Sequence, residues 1–147
     1  MPTYTCSIAK GLLSDTQKSG IAQAITTAHA EITGAPAYFA QVIFQEVSQG
    51  DHFIGGRPLA HDHVFVYGRI RGGRSAVDRK ALVMRLSEEV AEIAGVPAFS
   101  VWTYLLELPA AAMVEFGHIL PEPGDEPGWN NALPACDRER MQAILTQ

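Results

Sequence analysis

Apolar residues recur along this chain in two alternating patterns, one typical of strands and one typical of helices. Runs rich in aromatic and β-branched residues predict four strands, at residues 3–8, 38–47, 64–70 and 101–108. Between the first and second strands, and between the third and fourth, apolar residues recur at helical spacing. These helices are predicted to begin after Ser14 and Ser75 and to stop at Gly34 and Gly95. The predicted order is β-α-β, twice.

The two halves are related by a shift of 61 residues. Positions 14 and 75 are both Ser, 34 and 95 are both Gly, and 36 and 97 are both Pro. The apolar helix positions and the last strands follow the same shift, and so does the pair Gly11 and Gly72. We therefore expect a duplicated β-α-β unit whose two copies align without a gap.

The repeat predicts an α/β (α+β) fold in which tandem β-α-β units form a four-stranded sheet with two helices on one face. We expect a single domain over residues 1–147. The first unit is placed at residues 2–60, the second at 61–120, and a tail with a short helix at 121–147, while residues 110–116 are expected to form another short helix. A sheet with a bare apolar face has to bury it, which favours an oligomer.

Composition narrows the classes of function. The chain has 147 residues, of which 47% are hydrophobic and 18% charged, with a net charge of −5. Without a basic cluster a nucleic-acid partner is not expected, and without an apolar segment of about 18 residues neither is a membrane. We expect a cytoplasmic protein in which Cys6 and Cys136 are unpaired thiols.

The repeat draws attention to His29. The same shift places it opposite Val90, so one unit carries an ionisable residue where the other carries an apolar core residue. A buried imidazole needs a hydrogen-bond partner. His29 is therefore either a satisfied core histidine or a functional group, and the sequence leaves both interpretations open.

A second candidate is the turn between the third strand and the second helix, Arg71-Gly72-Gly73-Arg74. Two guanidiniums three residues apart, beside the N-terminus of a helix, are able to bind one carboxylate. At the same shift, the first unit has Lys10 and Leu13 in place of the two arginines. The alternative is an ordinary solvated turn.

Pro2 would carry a free secondary amine if Met1 is removed, and α-amino groups titrate at roughly 7.7–8.0. The alternative is that this proline only reflects processing of the chain. Tyr104 lies in the middle of the fourth strand and is either core or catalyst. Glu115 lies in an apolar run, where burial favours a carboxylate that acts as a base.

His61 and His63 would lie on the same side of a strand, as in some metal sites. No third and fourth ligand has a suitable spacing, so no metal site is predicted.

Together these features resemble the tautomerase superfamily and, more narrowly, the cis-3-chloroacrylic acid dehalogenase family. The resemblance rests on the early proline, the two β-α-β units, the R-x-x-R turn and the tail segment 113–124. It implies a homotrimer that needs no metal and no cofactor. The family's functional residues fall on Pro2, His29, Arg71, Arg74, Tyr104 and Glu115.

The resemblance also implies the chemistry, which is hydrolytic dehalogenation or hydration of small unsaturated carboxylates. Arg71, Arg74 and His29 would bind the carboxylate of the substrate and polarise its conjugated double bond.

In the same implied mechanism, Glu115 and Tyr104 would activate water, and protonated Pro2 would deliver a proton to the substrate. Ala35 and Phe116 stand where the resemblance implies polar groups. A second hypothesis is therefore an enol–keto tautomerase of the phenylpyruvate type, in which neutral Pro2 is the base. A third is a non-catalytic binding module on the same fold.

Overall fold

The computed structural model describes residues 2–146, so Met1 and Gln147 lie outside the described residues. Strands and helices alternate through most of this range. The strands and α-helices are β1 (Thr3–Ala9), α1 (Asp15–Thr33), β2 (Gln41–Val47), β3 (Phe53–Ile54), β4 (Arg57–Pro58), β5 (Val64–Arg71), α2 (Ala76–Ala94), β6 (Val101–Leu108), β7 (Val114–Glu115), β8 (His118–Ile119), α3 (Glu126–Ala132) and α4 (Ala135–Ala143).

Four strands form the main sheet in the order β2-β1-β5-β6. Within each unit the strands are parallel, with Thr3 of β1 opposite Gln41 of β2. The two units meet through β1 and β5, which are antiparallel, with Thr3 opposite Arg69. The predicted fold class is confirmed: the sheet joins two β-α-β units through their first strands, which run antiparallel.

The predicted helix ends are also confirmed. The Ser14 hydroxyl accepts a hydrogen bond from the Gln17 amide at 3.2 Å, and the Gln17 side chain accepts one from the Ser14 amide at 3.0 Å. Gly34 and Gly95 end α1 and α2 at φ +71°, a left-handed conformation in which glycine avoids a steric penalty. Within residues 2–146, no helix is long and apolar enough to cross a membrane.

The main core lies between the sheet and both long helices, which pack against the same face. Ile21 and Ile25 of α1, with Leu82 and Leu86 of α2, are almost completely buried there. A Cβ atom at Gly68 would lie 2.5 Å from Cε1 of Tyr4, so glycine at this position makes room for the Tyr4 ring.

The opposite face of the sheet is apolar and open. Its exposed side chains include Ile43, Trp102, Tyr104 and Leu106. Among the described residues no element of the chain packs over these side chains as the helices do over the other face. The expected two-layer arrangement with one bare face is therefore present.

A second, smaller core joins the C-terminal tail to the end of the main sheet. Its buried members are Ala35, Phe39, Ala110, Leu120, Leu133 and Met141. The prediction that the second strand starts at residue 38 is wrong, because Ala37–Phe39 form a 3-10 turn that directs Phe39 into this core. The tail has two short helices where one was expected: α4 is the predicted last helix, and α3, in a segment rich in proline and glycine, packs on this core through Trp129.

The expected helix at residues 110–116 is also wrong. Only Ala110–Ala112 form a 3-10 turn, and the chain then enters the β7–β8 hairpin. Its two-residue loop has φ +53° at Phe116 and φ +84° at Gly117. Such loops require positive φ at both positions, and a phenylalanine there is uncommon.

The shift of 61 residues holds for the helices but not for the first strands. The Lys10 amide donates to the Val47 carbonyl at 3.0 Å, and the Gly72 amide donates to the Leu108 carbonyl at 2.8 Å. Lys10 therefore corresponds to Gly72, which is a shift of 62. The first unit has one more residue between its strand and its helix, so the expected gapless alignment is wrong.

The burial pattern of the strands agrees with this insertion. Ile8 and Ile70 both face the core, whereas a shift of 61 would pair Ile8 with the exposed Arg69. The structural counterpart of Arg71 in the first unit is therefore Ala9 rather than Lys10. Arg71 itself is the last residue of β5 and not the first residue of a turn.

Candidate active site

His29 lies on the buried face of α1, 4% exposed, and its Nδ1 is 2.8 Å from the Tyr4 hydroxyl. Burial lowers the pKa of His29 to about 3, with further lowering by the positive charges of Arg74 and Arg71. The imidazole is therefore neutral near pH 7. His29 thus has the partner that its burial requires.

The Tyr4–His29 hydrogen bond has a preferred direction. Burial raises the pKa of the Tyr4 phenol, so the hydroxyl stays protonated and needs an acceptor. We assign Tyr4 as the donor to Nδ1, which leaves the hydrogen of neutral His29 on Nε2. His29 is then a neutral donor at Nε2.

Arg71 ends β5 with its side chain completely buried, 2% exposed. Its Nη1 donates to the Pro121 carbonyl at 2.6 Å, and its Nη2 donates to Oε1 of Glu126 in a short ion pair. Its Nε has no hydrogen-bond partner among the described residues. The guanidinium is thus held by the tail.

Arg74 lies three residues further, just before the Ser75 N-cap of α2. Its Nη1 donates to the Thr33 carbonyl at 2.7 Å, at the C-terminal end of α1. Burial, and then the positive charge of Arg71, lowers the pKa of the Arg74 guanidinium. The Thr33 hydroxyl in turn donates to the His29 carbonyl at 2.7 Å, so Arg74 lies at the end of the helix that carries His29.

Pro2 is buried at the start of β1, and its carbonyl accepts from the Gln41 amide at 2.9 Å. Side chains two residues apart on a strand point to the same face, so Pro2 shares the helix-covered face with Tyr4. Whether the Pro2 nitrogen is a free amine depends on Met1, which lies outside the described residues.

A cavity of about 550 Å³ opens beside the start of β1. Its lining residues are Thr3, Tyr38, Phe39, Ala40, Gln41, Val114, Glu115, Phe116 and Ile144. Glu115 is half-buried in the β7–β8 hairpin. The predicted base therefore lines a cavity that Thr3, the residue after Pro2, also lines.

Tyr104 is the predicted site residue that the chain does not bring to this cluster. It is 54% exposed on the open face of the sheet, and its ring packs edge-on against Phe65 at 5.1 Å. His29 lies on the other face of the sheet, on the buried side of α1. Within one chain, Tyr104 is therefore separated from His29 by the sheet.

Two residues of the cluster were missed by sequence reasoning. Tyr4 had a usable signal, since an aromatic hydroxyl two residues after Pro2 shares the face of that proline. Glu126 had none, because it lies 55 residues from Arg71 in a tail without repeat or periodicity.

Potential ligand atoms elsewhere do not form a metal site. In the described part of the chain, no three His, Cys, Asp or Glu side chains are arranged to hold a metal ion. Cys6 is buried, Cys136 is exposed, and both are free thiols.

Comparisons with known proteins identify the family and the fold. The family described as "Putative oxalocrotonate tautomerase enzyme" matches residues 1–93. The solved structure of N1, a member of the cis-3-chloroacrylic acid dehalogenase family, is 35% identical, with a TM-score of 0.92 over 95% of this chain and 98% of that one. No curated protein sequence matches.

Two other solved structures share the fold. Pt0534 inactivated by 2-oxo-3-pentynoate is 27% identical, with a TM-score of 0.73 over 80% of this chain and 94% of that one. A fused 4-OT, described as a wild-type asymmetric trimer, is 22% identical, with a TM-score of 0.74 over 80% of this chain and 94% of that one.

Proposed function

The chain belongs to the tautomerase superfamily and to its cis-3-chloroacrylic acid dehalogenase family, and we propose that it is a cofactor-free enzyme with a catalytic proline. Its reaction would be the hydrolytic dehalogenation or hydration of small unsaturated carboxylates. One observation carries the proposal: the antiparallel pairing of Thr3 with Arg69 brings Pro2 to the end of β5, where Arg71 lies. From the same strand, β1, the Tyr4 hydroxyl reaches Nδ1 of His29.

The cationic cluster would bind the substrate carboxylate. Arg74 offers a guanidinium and His29 a neutral Nε2–H, which together bind and orient an anion. Arg71 adds an unpaired Nε–H donor from its buried position at the end of β5. Withdrawal of electron density through the bound carboxylate makes the conjugated double bond open to attack at C3.

The proton transfers would be divided between two groups. Glu115 would take a proton from water while the water oxygen bonds to C3, and protonated Pro2 would give its proton to C2. With a halogen on C3, the product of addition loses halide and a proton to leave a semialdehyde. Holding substrate between an acid and a base supplies proximity as well as proton transfer.

We also propose a homotrimer that covers the open face of the sheet. Trp102, Tyr104 and Leu106 are more than two-fifths exposed on that face, although they are large and apolar or aromatic. The trimer of the fused 4-OT supports this assembly. In a trimer, Tyr104 would reach the water-activating group of a neighbouring subunit, which it cannot do in its own chain.

The second candidate function is enol–keto tautomerisation, and the cavity walls favour it. Phe39 and Phe116 pack ring to ring at 5.8 Å, and Tyr38 completes an aromatic wall. Such a wall fits an aryl group better than a three-carbon acid. In this reaction neutral Pro2 would act as the base, and Glu115 would matter little.

Separate incubation of the purified protein with cis-3-chloroacrylate, trans-3-chloroacrylate and phenylenolpyruvate tests these functions. Halide release supports the dehalogenase, ketonisation alone supports the tautomerase, and no turnover of any substrate supports a binding module. Intact mass shows whether Met1 is removed, which both reactions of Pro2 require.

Variants then separate the two chemistries. Pro2→Ala is expected to abolish both reactions, and Glu115→Gln only hydration and dehalogenation. A fully active Pro2→Ala variant would exclude the catalytic proline.

A further inference from the structure

Arg71 is neutralised by a carboxylate of its own chain. Its Nη2 forms an ion pair with Oε1 of Glu126, and its Nη1 donates to the Pro121 carbonyl. The Arg71 side chain is 1% exposed and the Glu126 side chain 30%, so water screens this pair only in part. The buried positive charge at the end of β5 therefore has a fixed negative partner.

The tail that carries Glu126 is firmly packed. The second oxygen of Glu126 accepts from the Gly124 amide at 2.8 Å. Pro123 lies so close to Gly73 that a Cβ there would be 2.7 Å from its Cγ. Trp129 Nε1 donates to the Ile119 carbonyl at 2.8 Å, and its ring packs on the second core. These contacts make Glu126 a permanent partner of Arg71.

Arg74 differs from Arg71 in its partners. Its guanidinium donates to a neutral backbone carbonyl, that of Thr33. In the part of the chain that the structure describes, Arg74 forms no ion pair with a carboxylate, whereas Glu107 beside it is paired with Arg79. The cluster therefore contains two guanidiniums, of which Arg71 alone forms an ion pair within the described residues.

We propose that Glu126 is a specificity-determining residue, which as fixed counterion of Arg71 makes the site select monocarboxylates over dicarboxylates. This inference rests on the proposed carboxylate-binding function. Arg71 keeps one unpaired donor, its Nε–H, so it still polarises the site without adding net charge. Glu126 lines a smaller cavity together with Tyr38 and Phe39, so a second carboxylate placed there would meet aromatic rings and the Glu126 charge instead of a second free cation.

The expected size of the effect follows from Coulomb's law. Removing one negative charge several ångströms from a bound anion changes its affinity by about tenfold at an effective dielectric constant between protein and water. A second ligand charge feels the same change, weakened by its greater distance. Loss of the Glu126 charge should therefore strengthen binding of a dianion about fivefold more than binding of a matched monoanion.

Butyrate and succinate are suitable probes because they have the same chain length, differ by one carboxylate and undergo neither proposed reaction. Calorimetric titration at pH 7.5 would compare the wild type with Glu126→Gln. Glu122→Gln is the matched control, since it removes an exposed charge from the same tail without touching Arg71. Circular dichroism would check that each variant is folded.

The wild type and Glu122→Gln are expected to bind butyrate at least as tightly as succinate. Glu126→Gln should shift the affinity ratio about fivefold towards succinate. An unchanged ratio, or equal gains for both acids, would refute the role of Glu126 while leaving the carboxylate site intact.

Two further outcomes are decisive. If Glu126→Gln does not fold, tighter binding of succinate than of butyrate by the wild type still overturns the inference. If neither acid binds to the wild type, the proposed carboxylate site fails, and the inference fails with it.

Discussion

The hydroxyl of Tyr4 and Nδ1 of His29, 2.8 Å apart, join the first strand to the first helix through a buried hydrogen bond. The contact keeps Nδ1 of His29 as an acceptor, with the hydrogen on Nε2, and holds the ring in one orientation. It also gives β1 a specific polar contact with α1, only two residues from Pro2. The stability of the fold and the candidate chemistry are therefore both expected to depend on the Tyr4–His29 pair.

Tyr4→Phe is expected to lower the free energy of unfolding by about 1–3 kcal/mol, because Nδ1 of His29 loses its partner while it stays buried. Turnover should fall as well, since the tautomer of His29 is no longer fixed. Denaturant titration and steady-state kinetics measure the two effects. Tyr67→Phe, on the open face, is the control, and equal losses in both variants would contradict the special role of Tyr4.

His29 makes the protein less stable in acid. Its pKa is lowered from 6.5 to about 3, so the unfolded chain takes up a proton that the folded chain refuses. The free energy of unfolding should fall by about 1.4 kcal/mol per pH unit from pH 6.5 down to about 3 through this residue alone. Above pH 6.5 His29 contributes no pH dependence.

The comparison with His29→Gln isolates this effect, since other groups titrate equally in both proteins. Between pH 7 and pH 5 the wild type should lose about 2 kcal/mol relative to the variant. Chemical denaturation at the two pH values measures the difference. A stability difference that does not change with pH would show that His29 is not held neutral.

Gly68→Ala should displace Tyr4. The new Cβ would lie 2.5 Å from Tyr4 Cε1 and 2.7 Å from Leu105 Cδ2, so these side chains or the strand have to move. We expect the free energy of unfolding to fall by about 1–3 kcal/mol, and turnover to fall as well. Gly128→Ala in α3 is the matched control: nothing lies within 4 Å, and the change should be neutral or slightly stabilising. Equal effects would refute the steric argument.

Phe116→Asn is expected to separate the two proposed reactions. Asparagine tolerates the φ of +53° better than phenylalanine, so the hairpin should not be weakened. The loss of the aromatic wall should reduce kcat/KM for phenylenolpyruvate about tenfold and leave hydration of small acids largely unchanged. Phe99→Asn, at an exposed site outside the cavity, is the control. Parallel losses for both substrates would contradict this role of the wall.

Leu106→Lys should dissociate the proposed trimer. Leu106 lies in the apolar open face, and burying an unpaired ammonium in an interface is costly. Size-exclusion chromatography with light scattering is expected to show a change from trimer to monomer. Val77→Lys, on the exposed side of α2, should leave the mass unchanged. A monomeric wild type would refute the assembly itself.

The elements of the repeat could be predicted because each carries a local signal. Ser14 with Gln17 marks a helix start, and Gly34 and Gly95 mark stops, whatever the rest of the chain does. The tail could not be predicted in this way. Its apolar residues are shared among a hairpin, two short helices and a turn, and only the second core makes Phe39 and Trp129 neighbours.

The candidate site, like the fold, could be predicted from the sequence only in part. His29 and Arg74 differ from their counterparts in the other unit, and a difference between copies is visible in the sequence alone. The pairing of Arg71 with Glu126 is not, because it depends on how a distant tail packs. The separation of Tyr104 from His29 follows only from the order and sidedness of the strands.

Because the two units pair through antiparallel strands, the sheet has two pseudo-equivalent ends. The candidate site lies at only one of them. At the other end, the counterparts of the two arginines and of the buried histidine are Ala9, Leu13 and Val90. A duplicated scaffold thus has a single candidate site, that of the proposed Pro2 amine. In the proposed trimer the stoichiometry would be three sites rather than six, so a proline-directed covalent reagent would saturate at one equivalent per polypeptide.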